Sequence, residues 1–189
     1  MQVEWYGQSA FRMSAGGQTV FIDPFGDVSL LASRGLEFNY PAIEGVKLES
    51  PLGEVVAVAS EHDEEAGTAR GPNTIFVFSL DGVRVAHFGD FGQSSLRDAQ
   101  AAAIGQVDLV FLPVGDGPTI GAEQAAEIAE SLGAKWIVPM HYRTEKVNFL
   151  EPVDAFVERM ANIERMASPR FDTENLPNAK PLVVVPTAP

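Results

Sequence analysis

The chain has 189 residues and a mass of 20.3 kDa, and its 46% hydrophobic and 21% charged residues are typical of a globular protein with a sizeable core. It contains no cysteine, which excludes disulfides and thiolate metal sites, so a metal would need His, Asp or Glu ligands. The net charge of -13 argues against a nucleic acid as partner and favours a small-molecule substrate.

From the residues given, we expect neither a membrane anchor nor a targeting segment. No stretch approaches the roughly 18 consecutive apolar residues of a membrane span, and the first residues are typical of a strand and not of a signal peptide. We therefore expect a cytoplasmic protein. The length and the lack of internal repeats indicate a single α/β domain over residues 1–189.

The first half of the chain is predicted to be rich in strands. It begins with a β-meander, and a hairpin follows around Asp81-Gly82. Glycine and proline interrupt every periodicity between residues 26 and 53, so this segment is predicted to be mostly loop. The predicted strands cover residues 3–6, 10–13, 19–22, 54–59, 74–80 and 83–88.

Helices and strands alternate in the second half, and this order predicts a parallel segment of sheet. The last of the helices opens at Glu151-Pro152, because proline suits the first turn of a helix. The predicted helices cover residues 96–104, 121–132 and 151–166, and the strands cover 107–112, 136–138 and 182–185.

Three potential metal ligands, His62, Asp90 and His141, each come just after a predicted strand. Imidazole and carboxylate groups bind borderline cations, and the ends of strands can converge at one edge of a sheet. The pattern therefore predicts a metal site. Other interpretations stay open, namely a surface histidine in an acidic loop for His62, a helix cap for Asp90 and a structural histidine for His141.

Catalytic roles are predicted for Asp90 and for two residues that closely follow the histidines in the sequence. Asp63 follows His62 in a loop dense in acidic residues. Arg143 follows His141 by two positions, where it could meet an anionic substrate or form a plain surface salt bridge.

Two further polar residues lie near these positions in the sequence. Asp23 precedes Pro24 at the end of a predicted strand, where an aspartate often only shapes a turn. His87 lies on the strand that leads to the turn with Asp90, and we expect it to face the core or a neighbouring strand.

Taken together, six ordered segments spanning nearly the whole chain resemble the metallo-β-lactamase-fold hydrolases, in particular predicted zinc-dependent hydrolases related to ascorbate-phosphate lactonases. The resemblance implies a four-layer αβ/βα sandwich with a metal site at one edge of two facing sheets. The segments are WYGQSAF at 5–11, FIDPF at 21–25, His62, HFGDFG at 87–92, LPVG at 112–115 and PMHY at 139–142.

The resemblance also implies roles for individual residues. His62 corresponds to a ligand of a first metal, Asp90 to a bridging carboxylate and His141 to a ligand of a second metal. Asp23 corresponds to a carboxylate that supports the site from behind the ligands.

The chain departs from this family in one respect, since the H-x-H-x-D-H motif is missing between Asp23 and His62. A strand, the motif loop and a helix are predicted to be lost together, which truncates the sandwich in its N-terminal half. The remaining ligands His62, Asp90 and His141 could hold one ion at most, zinc or alternatively manganese or iron. The loss should also expose a sheet edge, so we predict a homo-oligomer.

Two functions are compatible with these features. The first is a metal-dependent hydrolase that cleaves a small ester, lactone or phosphoester with a metal-activated water, with activity that is weak or lost. The second is a metal-free pseudoenzyme that serves as a binding or assembly module. A deletion product without an evolved role is a third alternative.

Overall fold

The computed structural model describes residues 1–23, 46–50 and 52–189. Its elements, in chain order, are β1 (Gln2–Gly7), β2 (Ala10–Ala15), β3 (Gln18–Ile22), β4 (Val46–Ser50), β5 (Gly53–Glu61), β6 (Pro72–Leu80), β7 (Val83–His87), α1 (Asp98–Ile104), β8 (Leu109–Pro113), α2 (Ala122–Leu132), β9 (Trp136–Met140), α3 (Asp154–Val157), β10 (Ile163–Arg165), β11 (Arg170–Asp172), a 3-10 helix (Thr173–Asn175) and β12 (Leu182–Val185). No helix in this described part of the chain has the length and hydrophobicity of a transmembrane helix.

Two β-sheets carry the fold. The smaller has the order β11-β1-β2-β3 and is antiparallel throughout. The larger has eight strands in the order β10-β12-β9-β8-β7-β6-β5-β4. Its pairings from β7 to β10 are parallel and those from β4 to β7 are antiparallel, so the predicted change from hairpins to alternating helices and strands is confirmed.

The core lies between the two sheets and follows from the pattern of each strand. In β1 the side chains of Val3 and Trp5 are buried and alternate with more exposed neighbours, as expected for a sheet with one covered face. Every residue of β8 and β9 is buried, as is usual for central parallel strands. Phe11 and Phe111 connect the sheets, with their ring centroids 4.4 Å apart. The predicted α/β class is therefore confirmed.

Two sequence predictions are wrong in detail. The helix predicted over 151–166 is limited to α3, because the chain passes through Asn162 with a positive φ of 53° and residues Ile163–Arg165 then pair with β12. Within the predicted loop 26–53, residues Val46–Ser50 form β4, which pairs with β5. In both places strand pairing, which local sequence does not reveal, overrides the local pattern. Residues 24–45 and 51 lie outside the described residues.

A candidate metal centre

Three strand ends bring His62, Asp90 and His141 to one edge of the larger sheet. His62 follows β5, Asp90 lies in the turn after β7, and His141 follows β9. The Nε2 atom of His62 is 3.8 Å from Oδ2 of Asp90, and Nε2 of His141 is 3.7 Å from Oδ1. Asp90 therefore presents one carboxylate oxygen to each imidazole.

Two glycines allow the loops at this edge to approach so closely. A Cβ atom on Gly92 would lie 2.4 Å from the carbonyl carbon of His62, and one on Gly115 would lie 2.1 Å from the carbonyl oxygen of His141. Real Cβ atoms do not make such contacts, so any side chain at either position would push a ligand-bearing loop away. Gly92 N–H also donates a hydrogen bond of 2.9 Å to the carbonyl of Glu61.

Strained backbone is concentrated at the same place. Gln8, Asp23 and His141 have φ values of 49°, 45° and 52°, in the left-handed region that non-glycine residues rarely occupy. All three line one cleft of about 540 Å³. Such strain persists only where the surrounding structure enforces it, and it is typical of functional sites.

Hydrogen bonds hold the ligands in place. Ser9 Oγ donates to Oδ1 of Asp90 at 2.8 Å, and the Asp90 backbone N–H donates to Oδ1 of Asn73 at 3.0 Å. Thr119 Oγ1 lies 3.4 Å from Nδ1 of His141. None of these partners was predicted as a site residue from the sequence. Only Ser9 carried a signal, since it belongs to one of the segments on which the family resemblance rests.

His87 is fully buried, as predicted, and both of its ring nitrogens are used. Nε2 lies 2.9 Å from the carbonyl oxygen of Ser9, and Nδ1 accepts the Gly89 N–H at 3.2 Å. This pairing requires the tautomer with the proton on Nε2. Burial lowers the pKa of His87, although Asp23, whose Oδ2 is 3.6 Å from Nδ1, acts in the opposite direction. His87 is therefore a neutral structural residue.

The pKa values of two residues at the cleft are also shifted. Burial lowers the pKa of His141, which Asp90 partly counteracts, so the neutral imidazole that binds metals is favoured. Burial raises the pKa of Asp23, while nearby His87 lowers it and Asp90 raises it further.

The contacts of Asp63 do not support its predicted catalytic role. Its two carboxylate oxygens accept four backbone N–H groups of the loop that follows, from Glu65, Gly67, Ala69 and Arg70, at 2.6 to 3.1 Å. Burial raises the pKa of Asp63, but these four hydrogen bonds outweigh it and hold the pKa below its ordinary value. The side chain thus organises the loop. The sequence did not reveal this role, because Asp63 is one of several acidic residues in the same loop.

Arg143 is likewise occupied outside the cleft. Its Nε donates to the carbonyl of Leu150 at 2.6 Å, and its Nη2 lies 4.0 Å from Oε1 of Glu151. These contacts correspond to the salt-bridge alternative, and the role of Arg143 toward an anionic substrate stays a prediction.

Among the described residues, the donors that meet at this edge are two imidazoles and the carboxylate of Asp90. The chain has three histidines in total, and His87 uses both ring nitrogens, so two imidazoles are available. His62 Nε2 is buried and has no hydrogen-bond partner among the described residues. Zinc bonds of roughly 2.0–2.1 Å place tetrahedral ligands about 3.3 Å apart, somewhat closer than the separations from Asp90. Accordingly, no group of three His, Asp or Glu donors in the described ranges forms a finished metal site.

Comparison with known proteins agrees with this architecture. A family model described as the β-lactamase superfamily domain matches residues 44–141. The chain belongs to the metallo-β-lactamase superfamily. A crystal structure from Thermotoga maritima, described as a proposed zinc-dependent hydrolase of this superfamily, superimposes with a TM-score of 0.78 and 28% identity over 98% of both chains.

Curated relatives carry names of the same kind. A UPF0173 metal-dependent hydrolase of Bacillus cereus strain B4264 is 33% identical over 158 residues, which cover 80% of this chain and 68% of the relative. Another from Geobacillus sp. strain WCH70 is 26% identical over 210 aligned positions, although these include only 80% of this chain. The Geobacillus alignment therefore contains several dozen positions without a counterpart here.

Proposed function

We propose that this member of the superfamily is a hydrolase that uses one metal ion, bound by His62, Asp90 and His141, and cleaves a small-molecule ester, lactone or phosphoester. The observation that carries the proposal is the convergence of two imidazole Nε2 atoms on the two oxygens of Asp90, at 3.8 and 3.7 Å. Two histidines and one carboxylate are an established ligand set for one divalent cation with open positions. Zinc is the proposed metal, with manganese or iron as alternatives.

A divalent ion in such a site supplies Lewis acidity and makes water nucleophilic at neutral pH. The residues of this chain prepare the ligands for it. Ser9 fixes the orientation of the Asp90 carboxylate through its hydroxyl group, and Thr119 lies beside the second ring nitrogen of His141. Burial keeps His141 neutral. Asp23, between His87 and the cleft, supports the site without serving as a ligand.

A metal-free binding module is the second candidate, and one specific observation favours it. The ligands that the described residues provide are fewer than a two-metal centre requires, and their spacing is wider than in a formed site. The two candidates differ in a property that can be measured directly, namely the affinity of the purified protein for a divalent metal.

The test is isothermal titration of the metal-free protein with Zn²⁺, Mn²⁺ and Fe²⁺, followed by elemental analysis of the loaded protein. The proposal predicts one equivalent of one of these metals. It also predicts that Asp90→Asn and His141→Ala each weaken binding at least about 100-fold, because each removes a ligand. The metal-loaded protein is then assayed for hydrolysis of a neutral carboxylic ester and of a phosphate ester.

Asp98→Asn is the matched control, because it removes an exposed carboxylate at the start of α1 and should leave metal binding unchanged. Lack of binding at micromolar metal would establish the metal-free alternative, and equal binding by wild type and both ligand variants would overturn the assignment of Asp90 and His141 as ligands. The single domain, the homo-oligomer and the cytoplasmic location stay predictions.

A further inference from the structure

The cleft at the candidate metal centre has an uneven distribution of charge. Its walls in the described part of the chain include two carboxylates, Asp23 and Asp90, and no lysine or arginine. Gln8 and Ser9 add neutral polar groups. The Gln8 amide nitrogen is buried and has no hydrogen-bond partner among the described residues.

Apolar side chains form another part of the wall. Val147 and Phe149 line the cleft, and Phe149 is 73% exposed. Only one other large hydrophobic side chain of the described residues is exposed, Tyr6 at 46%, and it does not line this cleft. When an apolar ligand group covers an exposed phenylalanine at the mouth of a polar cleft, apolar surface is removed from water, and this favours binding.

The loop that carries Phe149 is held firmly in position. Arg143 N–H donates to the carbonyl of Glu151 at 2.9 Å, and Glu151 N–H donates to the carbonyl of Gly115 at 2.7 Å. Arg143 Nε also donates to the carbonyl of Leu150. The same contacts occupy Arg143, which was the cation predicted to meet an anionic substrate.

From these features we propose that the cleft binds a neutral carboxylic ester or lactone whose apolar group packs against Val147 and Phe149, and that it discriminates against phosphoesters. The inference rests on the proposed function for the reaction and on the walls of the cleft for the substrate class. In the reaction the oxygen of water bonds to the acyl carbon, the acyl C–O bond breaks, and the departing alkoxide takes up a proton to leave an acid and an alcohol.

Charge is the reason for the discrimination. Among the described residues of the walls, the two carboxylates offset the positive charge of one divalent ion, so these walls add no surplus positive charge that would attract a phosphate. The net charge of -13 adds long-range repulsion of anions. An ester or lactone is neutral and bears a carbonyl oxygen that can accept a hydrogen bond.

The first experiment measures binding to the metal-free protein, so it is independent of catalysis. The probes are valerophenone, a neutral ketone that cannot be hydrolysed, and phenyl phosphate, and the dissociation constants are obtained by ligand-observed NMR. Wild type should bind the ketone more tightly than it binds phenyl phosphate. Phe149→Ala should weaken ketone binding about fivefold, because it removes one apolar face from the complex.

Tyr6→Ala is the matched control, because it removes an exposed aromatic side chain that does not line the cleft and should leave ketone binding unchanged. Tighter binding of phenyl phosphate, or equal ketone affinity for wild type and Phe149→Ala, would overturn the inference.

The second experiment compares hydrolysis by the metal-loaded protein of p-nitrophenyl hexanoate, p-nitrophenyl acetate and p-nitrophenyl phosphate. The ratio of kcat/KM for hexanoate over acetate should fall about fivefold in Phe149→Ala and stay constant in Tyr6→Ala. A preference for the phosphate would overturn the substrate class while upholding the hydrolase. Ketone binding as expected, without hydrolysis of any ester, would overturn the proposed function while upholding the assignment of the cleft.

Discussion

Two loops of the larger sheet each contain one histidine and one aspartate, and the structure uses them in opposite ways. In the loop after β5, His62 turns its Nε2 atom toward the candidate metal centre, whereas Asp63 is occupied by four backbone N–H groups. In the segment that ends β7, His87 is buried with both nitrogens paired, whereas Asp90 faces the cleft.

The comparison shows that hydrogen bonding, and not residue type, determines which side chain is available for chemistry. A carboxylate that already accepts several N–H groups has few lone pairs left for a metal, and an imidazole with both nitrogens paired has none. The two loops also depend on each other, because Gly92 of one approaches the backbone of His62 in the other.

The largest effect is expected from separating the two loops. Gly92→Ala would place a Cβ atom 2.4 Å from the carbonyl carbon of His62, and backbone atoms cannot yield as a flexible side chain can. We expect the free energy of unfolding to fall by about 3 kcal/mol or more. Urea denaturation followed by circular dichroism measures the change.

The control is Gly17→Ala, a turn glycine with a φ of 77° and no atom within 4 Å of the added methyl group. This variant tests backbone strain alone, and its free energy of unfolding should fall by about 1 kcal/mol. Similar losses for the two variants would mean that the contact between the loops does not constrain the fold.

A smaller effect on stability should distinguish the two histidines. His87→Gln loses the buried hydrogen bonds with Ser9 and Gly89, and we expect it to destabilise the protein by about 2–4 kcal/mol. His62→Gln removes a nitrogen that has no hydrogen-bond partner among the described residues. The free energy of unfolding of this variant should therefore differ from that of wild type by less than about 1 kcal/mol. Denaturation in EDTA compares the two variants without metal.

Metal titration of the same pair gives the complementary result. His62→Gln should weaken Zn²⁺ binding strongly although it remains as stable as wild type. Loss of stability in His62→Gln, or a stable His87→Gln, would reverse the roles that the hydrogen bonds assign.

The smallest effect is expected at Asp63. Asp63→Asn turns an amide donor toward the N–H groups of Ala69 and Arg70, so the variant should be less stable than wild type at pH 7. The folded pKa of Asp63 lies below its ordinary value of 3.8, so the carboxylate contributes stability above that pH and loses it as the pH falls through the folded pKa. The difference between wild type and variant should therefore narrow below about pH 4.

Urea titrations at neutral and acidic pH in EDTA measure this difference. Glu64→Gln is the control, since it neutralises an exposed acidic residue in the same loop and leaves the four hydrogen bonds of Asp63 in place. A difference between wild type and Asp63→Asn that is equal at both pH values would show that the charge of Asp63 is not involved.

The sequence predicted most of the architecture because burial on one or both faces of a strand leaves a periodic pattern. The meander, the hairpin around Asp81-Gly82 and the parallel segment are all present. It missed β4, β10 and β11, whose residues become strands through their partners β5, β12 and β1. The local pattern did not reveal these pairings, although Ser50 of β4 pairs with Gly53 only three positions along the chain.

The sequence by itself also limited the chemistry, since three histidines and no cysteine leave few metal ligands. Only the tertiary structure decided that Asp63 stabilises a loop, that Arg143 contacts its own loop, and that Ser9 holds Asp90. The physical reason is that periodicity records which face of an element is buried. The availability of a lone pair depends instead on donors that folding brings from elsewhere, such as Ser9, which is 81 positions from Asp90 in the chain.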